Sequence, residues 1–169
     1  MRSADVLIIG GGPAGSSCAW QLRRAGVDVV VWDRKPFPRD KVCAGWITPH
    51  VVAALELDLR AYAAGGRTCQ PIFGFEVSRQ GDRAARVRYA EPVSYGIRRC
   101  EFDDYLLARS GAELRLGEPL RTLEQRADQW VVNGAVRAPV LVGAGGHFCP
   151  IAQRLGARLG QGEPVVAAQ

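Results

Sequence analysis

Four consecutive apolar residues, Val6-Leu7-Ile8-Ile9, run straight into Gly10-Gly11-Gly12-Pro13-Ala14-Gly15. An unbroken apolar run of this length predicts a short strand over 5–9, buried on both faces as in a parallel sheet. Beyond the glycines, Ala14, Cys18, Leu22 and Ala25 recur at helical spacing, predicting a helix over 13–25 with these four on its inner face. Gly26 stops that helix. A second apolar run over 29–32 ends on Asp33. Strand, glycine turn, helix and strand within about thirty residues is the length a βαβ unit requires.

The pattern then changes. Prolines at 36, 38 and 49 together with Gly45 make 35–49 a loop. Residues 48–64 predict one helix, with Pro49 accommodated in its first turn. Alternation over 72–78 and 85–89 predicts a half-exposed antiparallel hairpin, with 93–97 as a third strand of that layer. A helix is predicted over 102–109, ended by Gly111. Strand-like runs follow near Leu120, at 130–132 and near Val136, and the wholly apolar 140–142 leads into Gly143-Ala144-Gly145-Gly146. At the tail, Pro164-Val165-Val166-Ala167 has the look of a strand just starting, with no cap or turn behind it. The sequence is therefore expected to be the N-terminal part of something longer.

Composition narrows the classes. A chain of 169 residues fits one domain, and 47% hydrophobic with 23% charged residues is ordinary for a soluble protein. The net charge is +5, and all but Lys35 and Lys41 of the 22 basic residues are arginines, scattered from Arg2 to Arg158. Such scatter suits a solvated surface or a small anionic ligand and argues against a nucleic-acid groove. The cysteines number five, none in a CxxC pair, and the two histidines, His50 and His147, are not spaced as metal ligands. Reduced thiols, no zinc site and a cytoplasmic location are expected. The first apolar run is too short for a signal-peptide core or a membrane span; peripheral membrane contact stays open, as does the oligomeric state.

Gly10, Gly12 and Gly15 satisfy G-x-G-x-x-G. The first allows the sharp turn, the second lets a pyrophosphate approach the backbone, and the third lets helix pack on strand, with Ala19 four residues on keeping the helix close to the sheet. The helix start behind them, at Pro13 and Ala14, offers N–H groups and the positive dipole end to phosphates. Asp33, 18 residues past Gly15, stands where a carboxylate accepts hydrogen bonds from a ribose diol. Arg34 beside it suggests a 2′-phosphate, but an acid at the preceding position repels one. The turn by itself leaves NAD and FAD both open.

Three further segments separate them by resemblance. The stretch 10–33, with Pro13-Ala14-Gly15 inside it, resembles the start of flavoproteins with two dinucleotide-binding domains. Pro38-Arg39-Asp40-Lys41-Val42-Cys43-Ala44-Gly45 resembles a loop of the geranylgeranyl reductase family in which a Lys-x-Cys-Gly-Gly-like run lies near the flavin. That resemblance implies cofactor contacts at Arg39, Lys41, Cys43 and Ala44. Ile97-Arg98-Arg99-Cys100-Glu101-Phe102-Asp103 resembles the family's Arg-x-x-Phe-Asp element, implying that Arg99, with Arg98 second, reaches FAD. Gly143-Ala144-Gly145-Gly146 stands in the place of the Gly-Ala-Asp-Gly motif of the related hydroxylases, implying that Gly143, Ala144 and Gly145 face the cofactor.

The resemblance extends over essentially the whole chain. It implies an α/β fold: an incomplete Rossmann-like FAD-binding domain over 1–169, with an inserted antiparallel β layer at 70–97 belonging to a substrate domain. The implied activity is that of an FAD-dependent oxidoreductase moving a hydride or electrons between FAD and an organic, isoprenoid-like small molecule, with NAD(P)H as the electron donor. Two departures matter. Gly145 replaces the motif's aspartate, which argues against hydroxylase-style use of NADPH, and the family's later Gly-Asp motif does not occur.

Chemistry supports the arginine assignment separately. A guanidinium gives bidentate, charge-assisted hydrogen bonds to a diphosphate, and a cation at a helix start is unfavourable without an anion nearby. Cys43 is expected to be a small buried apolar residue, with Arg39 and Lys41 as its positive neighbours. His50 and His147 are expected in packing or surface roles, and no residue stands out as a general acid or base. The competing readings are a flavin monooxygenase, an NAD-binding dehydrogenase domain and a nucleotide-binding fragment without chemistry. The hairpin layer argues against the dehydrogenase. A halogenase is disfavoured because Trp46-Ile47-Thr48-Pro49 is not a Trp-x-Trp-x-Ile-Pro motif. Exposed apolar surface is expected of such a chain.

Overall fold

The two apolar runs flanking the glycine turn form the centre of a parallel sheet. The computed structural model describes residues 1–79 and 83–156. In chain order the strands are β1 (Arg2–Ser3), β2 (Val6–Ile9), β3 (Val29–Asp33), β4 (Trp46–Ile47), β5 (Cys69–Ile72), β6 (Gly74–Val77), β7 (Ala85–Arg88), β8 (Ser94–Ile97), β9 (Glu113–Leu116), β10 (Leu123–Arg126), β11 (Gln129–Val132), β12 (Val136–Ala138) and β13 (Val140–Gly143). The helices are α1 (Pro13–Arg24), α2 (Pro49–Ala54), α3 (Leu59–Ala64), α4 (Arg99–Arg109) and α5 (Pro150–Arg154). The described residues divide into two units, 1–40 with 103–156, and 41–102.

In the first unit β13, β2, β3 and β9 lie side by side, all parallel, with Ile9 opposite both Trp32 and Gly143. Side chains of a strand alternate between faces, and both faces here are covered. Leu7, Ile9, Val30 and Trp32 pack against Val132, Val136 and Ala138 of a second sheet, ordered β1-β12-β11-β10, and against Cys149 and Ile151. Val6, Ile8, Val29 and Val31 pack against Ala19 of α1 and Leu107 of α4. The helix-sheet-sheet layering explains why β2 and β3 read as continuous apolar runs.

The inner face of α1 differs from the expected one. Its buried residues are Gly15, Ser16 and Ala19, with Cys18 and Leu22 half-buried, whereas Ala14 and Ala25 are exposed. Small residues at 15 and 19 let the helix backbone settle on the sheet, which turns the stripe by one position. Strand β9 escaped the pattern because Glu113-Leu114-Arg115-Leu116 is half charged; it is an edge strand, where charge is tolerated. Leu120 lies in no strand, the expected run being displaced to β10, and α5 was not anticipated.

In the second unit β4, β8 and β5 form a three-stranded antiparallel sheet, and β6 and β7 form a separate ribbon. The hairpin is as expected. The segment 93–97, however, gives β8, which pairs with β4 and β5 rather than extending the ribbon. The single helix expected over 48–64 is two. Thr48 caps α2 through the Val51 N–H at 3.4 Å, Glu56 takes a left-handed φ of 47°, and Asp58 recaps α3 by accepting from Arg60 N and Ala61 N, both at 2.9 Å. An aspartate inside an apparent helix is itself a start signal. Across the ribbon, Phe75 faces Val87 and Val77 faces Ala85, leaving one face apolar, while Glu76 pairs with Arg86 at 2.8 Å on the other. Phe75, Val77 and Val87 are exposed, and Trp46 stands 5.5 Å from the Phe75 ring. The helix at 102–109 begins earlier, at Arg99, and Gly111 terminates it with φ 67°.

No helix among the described residues is long and apolar enough to cross a membrane. The five cysteines are free thiols. The strand expected at 164–167 lies outside the described residues.

Candidate functional site

In the first unit the glycine turn is held from behind. Gly10 N donates to Trp32 O at 2.8 Å, and Gly11 N donates to Asp33 Oδ2 at 2.7 Å. Gly10 has φ 118°, and a Cβ there would overlap the Ala144 carbonyl oxygen. A Cβ on Gly15 would overlap the carbonyl oxygen of Gly10, so the third glycine is set by contact with the first. Gly12 differs: a Cβ there would meet only Arg39 Nη2, at 3.3 Å, so its backbone is open to close approach.

Gly12 is also the N-cap of α1, with extended backbone and no capping side chain; Pro13 follows, and the first turn carries no acid. The first N–H groups of an α-helix have no partner within the helix and sit at the positive end of its dipole. An uncapped start of this kind is an anion-binding geometry.

Asp33 ends β3 half-buried, with one oxygen on Gly11 N and the other on Lys35 N at 2.9 Å. A carboxylate has roughly four acceptor positions, so both oxygens keep capacity for hydroxyl donors. Asp33 and Arg34 line a cleft of about 410 Å³ that also contains Gly10, Gly145, Leu120 and Phe148. Trp32 is fixed behind it by donating from Nε1 to Glu118 O at 2.6 Å. Phe148, at the end of a 3-10 turn over Gly146–Phe148, and Pro150 and Gln153 of the unanticipated α5 also line it, and none had a signal in the sequence. Gly143 and Gly145 are glycines for packing: Cβ atoms there would lie 2.9 Å from Ile151 Cβ and 3.0 Å from Cys149 Cα respectively. The turn into α5 is thus too tight for the aspartate of the Gly-Ala-Asp-Gly pattern without local movement. Ala144 N donates to Ile9 O at 2.8 Å, tying this turn to the first.

Arg39, half-buried, lies with its guanidinium 4.7 Å over the Phe37 ring and with Nη2 3.5 Å from Asp103 Oδ2. Asp103 is wholly buried. Its only signal in the sequence is its place at the end of the Arg-x-x-Phe-Asp segment.

The second unit holds the other candidates. Lys41, Cys43 and Ala44 are exposed, which corrects the expectation of a buried Cys43. The Gly45 N–H, and after it the Arg99 guanidinium, hold the Cys43 thiol below the ordinary thiol range. Arg99, rather than Arg39 or Lys41, is therefore its positive neighbour. Gly45 has φ 67°, and a Cβ on it would lie 2.5 Å from Ile97 O, so the loop is pinned against β8. Arg98 is exposed and pairs with Glu101 at 3.0 Å. His50 and His147 are exposed, with the His147 ring 4.7 Å from that of Phe148.

A parallel sheet with this glycine turn between its central strands is the Rossmann-like architecture of dinucleotide-binding proteins. The family described as FAD dependent oxidoreductase (DAO) matches over residues 5–100, and the chain belongs to that family. It is 33% identical over 170 residues to a menaquinone reductase of Mycobacterium tuberculosis, covering 92% of this chain and 41% of the relative. It is 42% identical over 53 residues to a geranylgeranyl diphosphate reductase of Rhodobacter capsulatus, covering 31% of this chain and 13% of the relative. Its fold is similar to that of halogenase PltM solved with phloroglucinol and FAD, with a TM-score of 0.75 and 22% identity over 94% of this chain and 37% of that one. The chain thus spans about two fifths of the first relative's length.

Proposed function

We propose that this chain is the FAD-binding part of a reductase of the geranylgeranyl reductase kind, acting on a small isoprenoid-like molecule. One observation carries the nucleotide half of the reading: the glycine turn is tied to Asp33 on one side and presents the uncapped start of a twelve-residue helix on the other. Gly10 and Gly15 keep turn and helix in contact, the open backbone of Gly12 with the Ala14 N–H receives the diphosphate behind Pro13, and Asp33 accepts the ribose hydroxyls. Arg34 and Gly145 line the same cleft; Gly143 and Ala144, in the turn before Gly145, are proposed with them on the resemblance of their segment, and Arg39 is proposed to offer its charge to the diphosphate. Lys41, Cys43, Ala44 and Arg99 are proposed as cofactor contacts on the resemblance of their segments alone.

FAD supplies hydride and one-electron chemistry that side chains lack. The protein's share is to hold the cofactor and keep water from the reacting carbon. The layer at 70–97 is proposed as part of the substrate domain, because the apolar ribbon face of Phe75, Val77 and Val87, with Trp46 on Phe75, suits an apolar chain. The relatives named for reduction of menaquinone and geranylgeranyl diphosphate favour a reductase over a monooxygenase. Reduction of a double bond needs two electrons and two protons, and the proposed electron source is a reduced nicotinamide. We place the reaction in the cytoplasm.

The test is the absorption spectrum of the purified protein, chromatography of whatever heat releases, and titration of the colourless protein with FAD and with NAD. FAD released, or bound more tightly than NAD, is the expected result. Binding of NAD alone would overturn the reading in favour of a dehydrogenase domain.

A further inference from the structure

Asp103 has no place in the reading above, yet it is a fully buried acid, which a protein core tolerates only when it is paired or hydrogen-bonded. Among its partners is Arg39, whose Nη2 lies 3.5 Å from Asp103 Oδ2. Arg39 is held on one other side, by the Phe37 ring, and stands over Gly12. Its guanidinium lies 4.7 Å over the Phe37 ring, and Nη2 stands 3.3 Å from where a Cβ of Gly12 would be. The Phe37 ring is in turn wedged against Gly11, 3.2 Å from a Cβ placed there. A cation over a helix start is disfavoured by the dipole, so a guanidinium stays there only with compensation, and Asp103 supplies it.

We propose that Asp103 is the positioning residue for Arg39, holding the guanidinium over the N-cap of α1 so that its remaining donors meet a nucleotide diphosphate. This rests on the FAD-binding reading and deepens it by assigning the diphosphate to a pre-oriented Arg39–Asp103 pair. A guanidinium carries five N–H donors in a fixed fork; the fork is useful to a diphosphate only when its plane is set in advance. The phenyl face and the carboxylate set that plane, while the backbone of Gly12 leaves the approach open.

The test is calorimetric titration of the 169-residue chain with ADP and, separately, with adenosine, which has the sugar and base but no diphosphate. Arg39→Ala and Asp103→Asn are each expected to weaken ADP binding about tenfold, the scale of one charge-assisted hydrogen bond, and to leave adenosine binding unchanged. The double variant should be no weaker for ADP than either single one, since both remove one device. Arg39→Lys keeps a charge beside Asp103 but loses the fork, so it should weaken ADP while keeping the parent's melting temperature. This variant keeps the question answerable if Asp103→Asn fails to fold. ADP affinity untouched by Asp103→Asn or by Arg39→Lys would overturn the inference, as would equal losses for ADP and adenosine. A parent chain that binds neither ADP nor FAD would overturn the FAD-binding reading itself, a different outcome from losses that follow the wrong pattern.

Discussion

Replacing Gly15 with alanine sets two effects against each other. Gly15 lies in the first turn of α1, and by propensity alone alanine would favour the helix by up to about 1 kcal/mol. The added Cβ would overlap the Gly10 carbonyl oxygen, lie 3.0 Å from the Gly10 carbonyl carbon and 3.2 Å from Ile8 Cγ2. None of these atoms can swing aside: two are backbone of the turn, and Ile8 is wholly buried in the central strand β2. Carbon contacts are comfortable at about 3.5–4.0 Å, so α1 must lift from the sheet by roughly 1 Å. That movement loosens the packing of Ala19 on Val6, Ile8, Val29 and Val31. Overpacking of this kind costs about 1–3 kcal/mol, more than propensity returns, so the variant should be less stable by about 1–2 kcal/mol. Urea unfolding followed by far-ultraviolet circular dichroism reads this directly, as a lower midpoint at unchanged slope. A Gly15→Ala protein as stable as its parent would refute the steric argument.

Gly12→Ala should behave oppositely. Only the tip of the Arg39 side chain is near, at 3.3 Å, so stability should hold within about 0.5 kcal/mol while FAD affinity falls; retained affinity would show that the diphosphate does not approach Gly12. Asp33→Ala leaves the Gly11 N–H without its acceptor, for a cost of about 1–3 kcal/mol, and should also weaken FAD binding, whereas Asp33→Asn should restore stability more than affinity. Cys43 should be alkylated by iodoacetamide with a pH midpoint below the ordinary thiol value of about 8.5, because Gly45 and then Arg99 stabilise its thiolate. Peptide mapping should find it ahead of Cys18 and Cys69, whose thiols burial pushes up, and Arg99→Ala should raise the midpoint; a wild-type midpoint at the ordinary value would count against the geometry. Glu113 is held below the usual carboxylate range by Arg2 first, then by Arg115. The contribution of that pairing is present above about pH 4.3 and is lost as pH falls through the lowered folded value. Arg2→Ala should therefore flatten the acid limb of the stability profile, and an unchanged limb would refute the pairing.

Much of the first unit was legible because its physics is local and one-dimensional. Val6 to Ile9 and Val29 to Trp32 are apolar at every position because both faces of their sheet are covered, and glycines at 10 and 15 are demanded by the close backbone contacts of the turn. Asp33 followed from its distance along the chain, which a βαβ unit fixes. The errors have equally local reasons. The outer positions of the α1 stripe were misread because Ala14 and Ala25 count as apolar, while Gly15 and Ala19, expected to bring the helix close to the sheet, do so. The break between α2 and α3 was signalled by Asp58 but outweighed by the apolar residues around it.

The amino-acid sequence by itself thus determined the glycine turn, its acid and the flanking strands, since each depends on contacts within some thirty residues. The tertiary structure alone decided which residues meet across long intervals. Arg39 stands beside Asp103, Gly10 under Ala144, and Trp32 bonds to Glu118. It also decided that Cys43 is exposed next to Arg99 and that charged β9 completes the parallel sheet. No periodicity records such meetings, because they are set by how layers stack and where loops return, and burial, charge and hydrogen bonding act on the residues only once they are there.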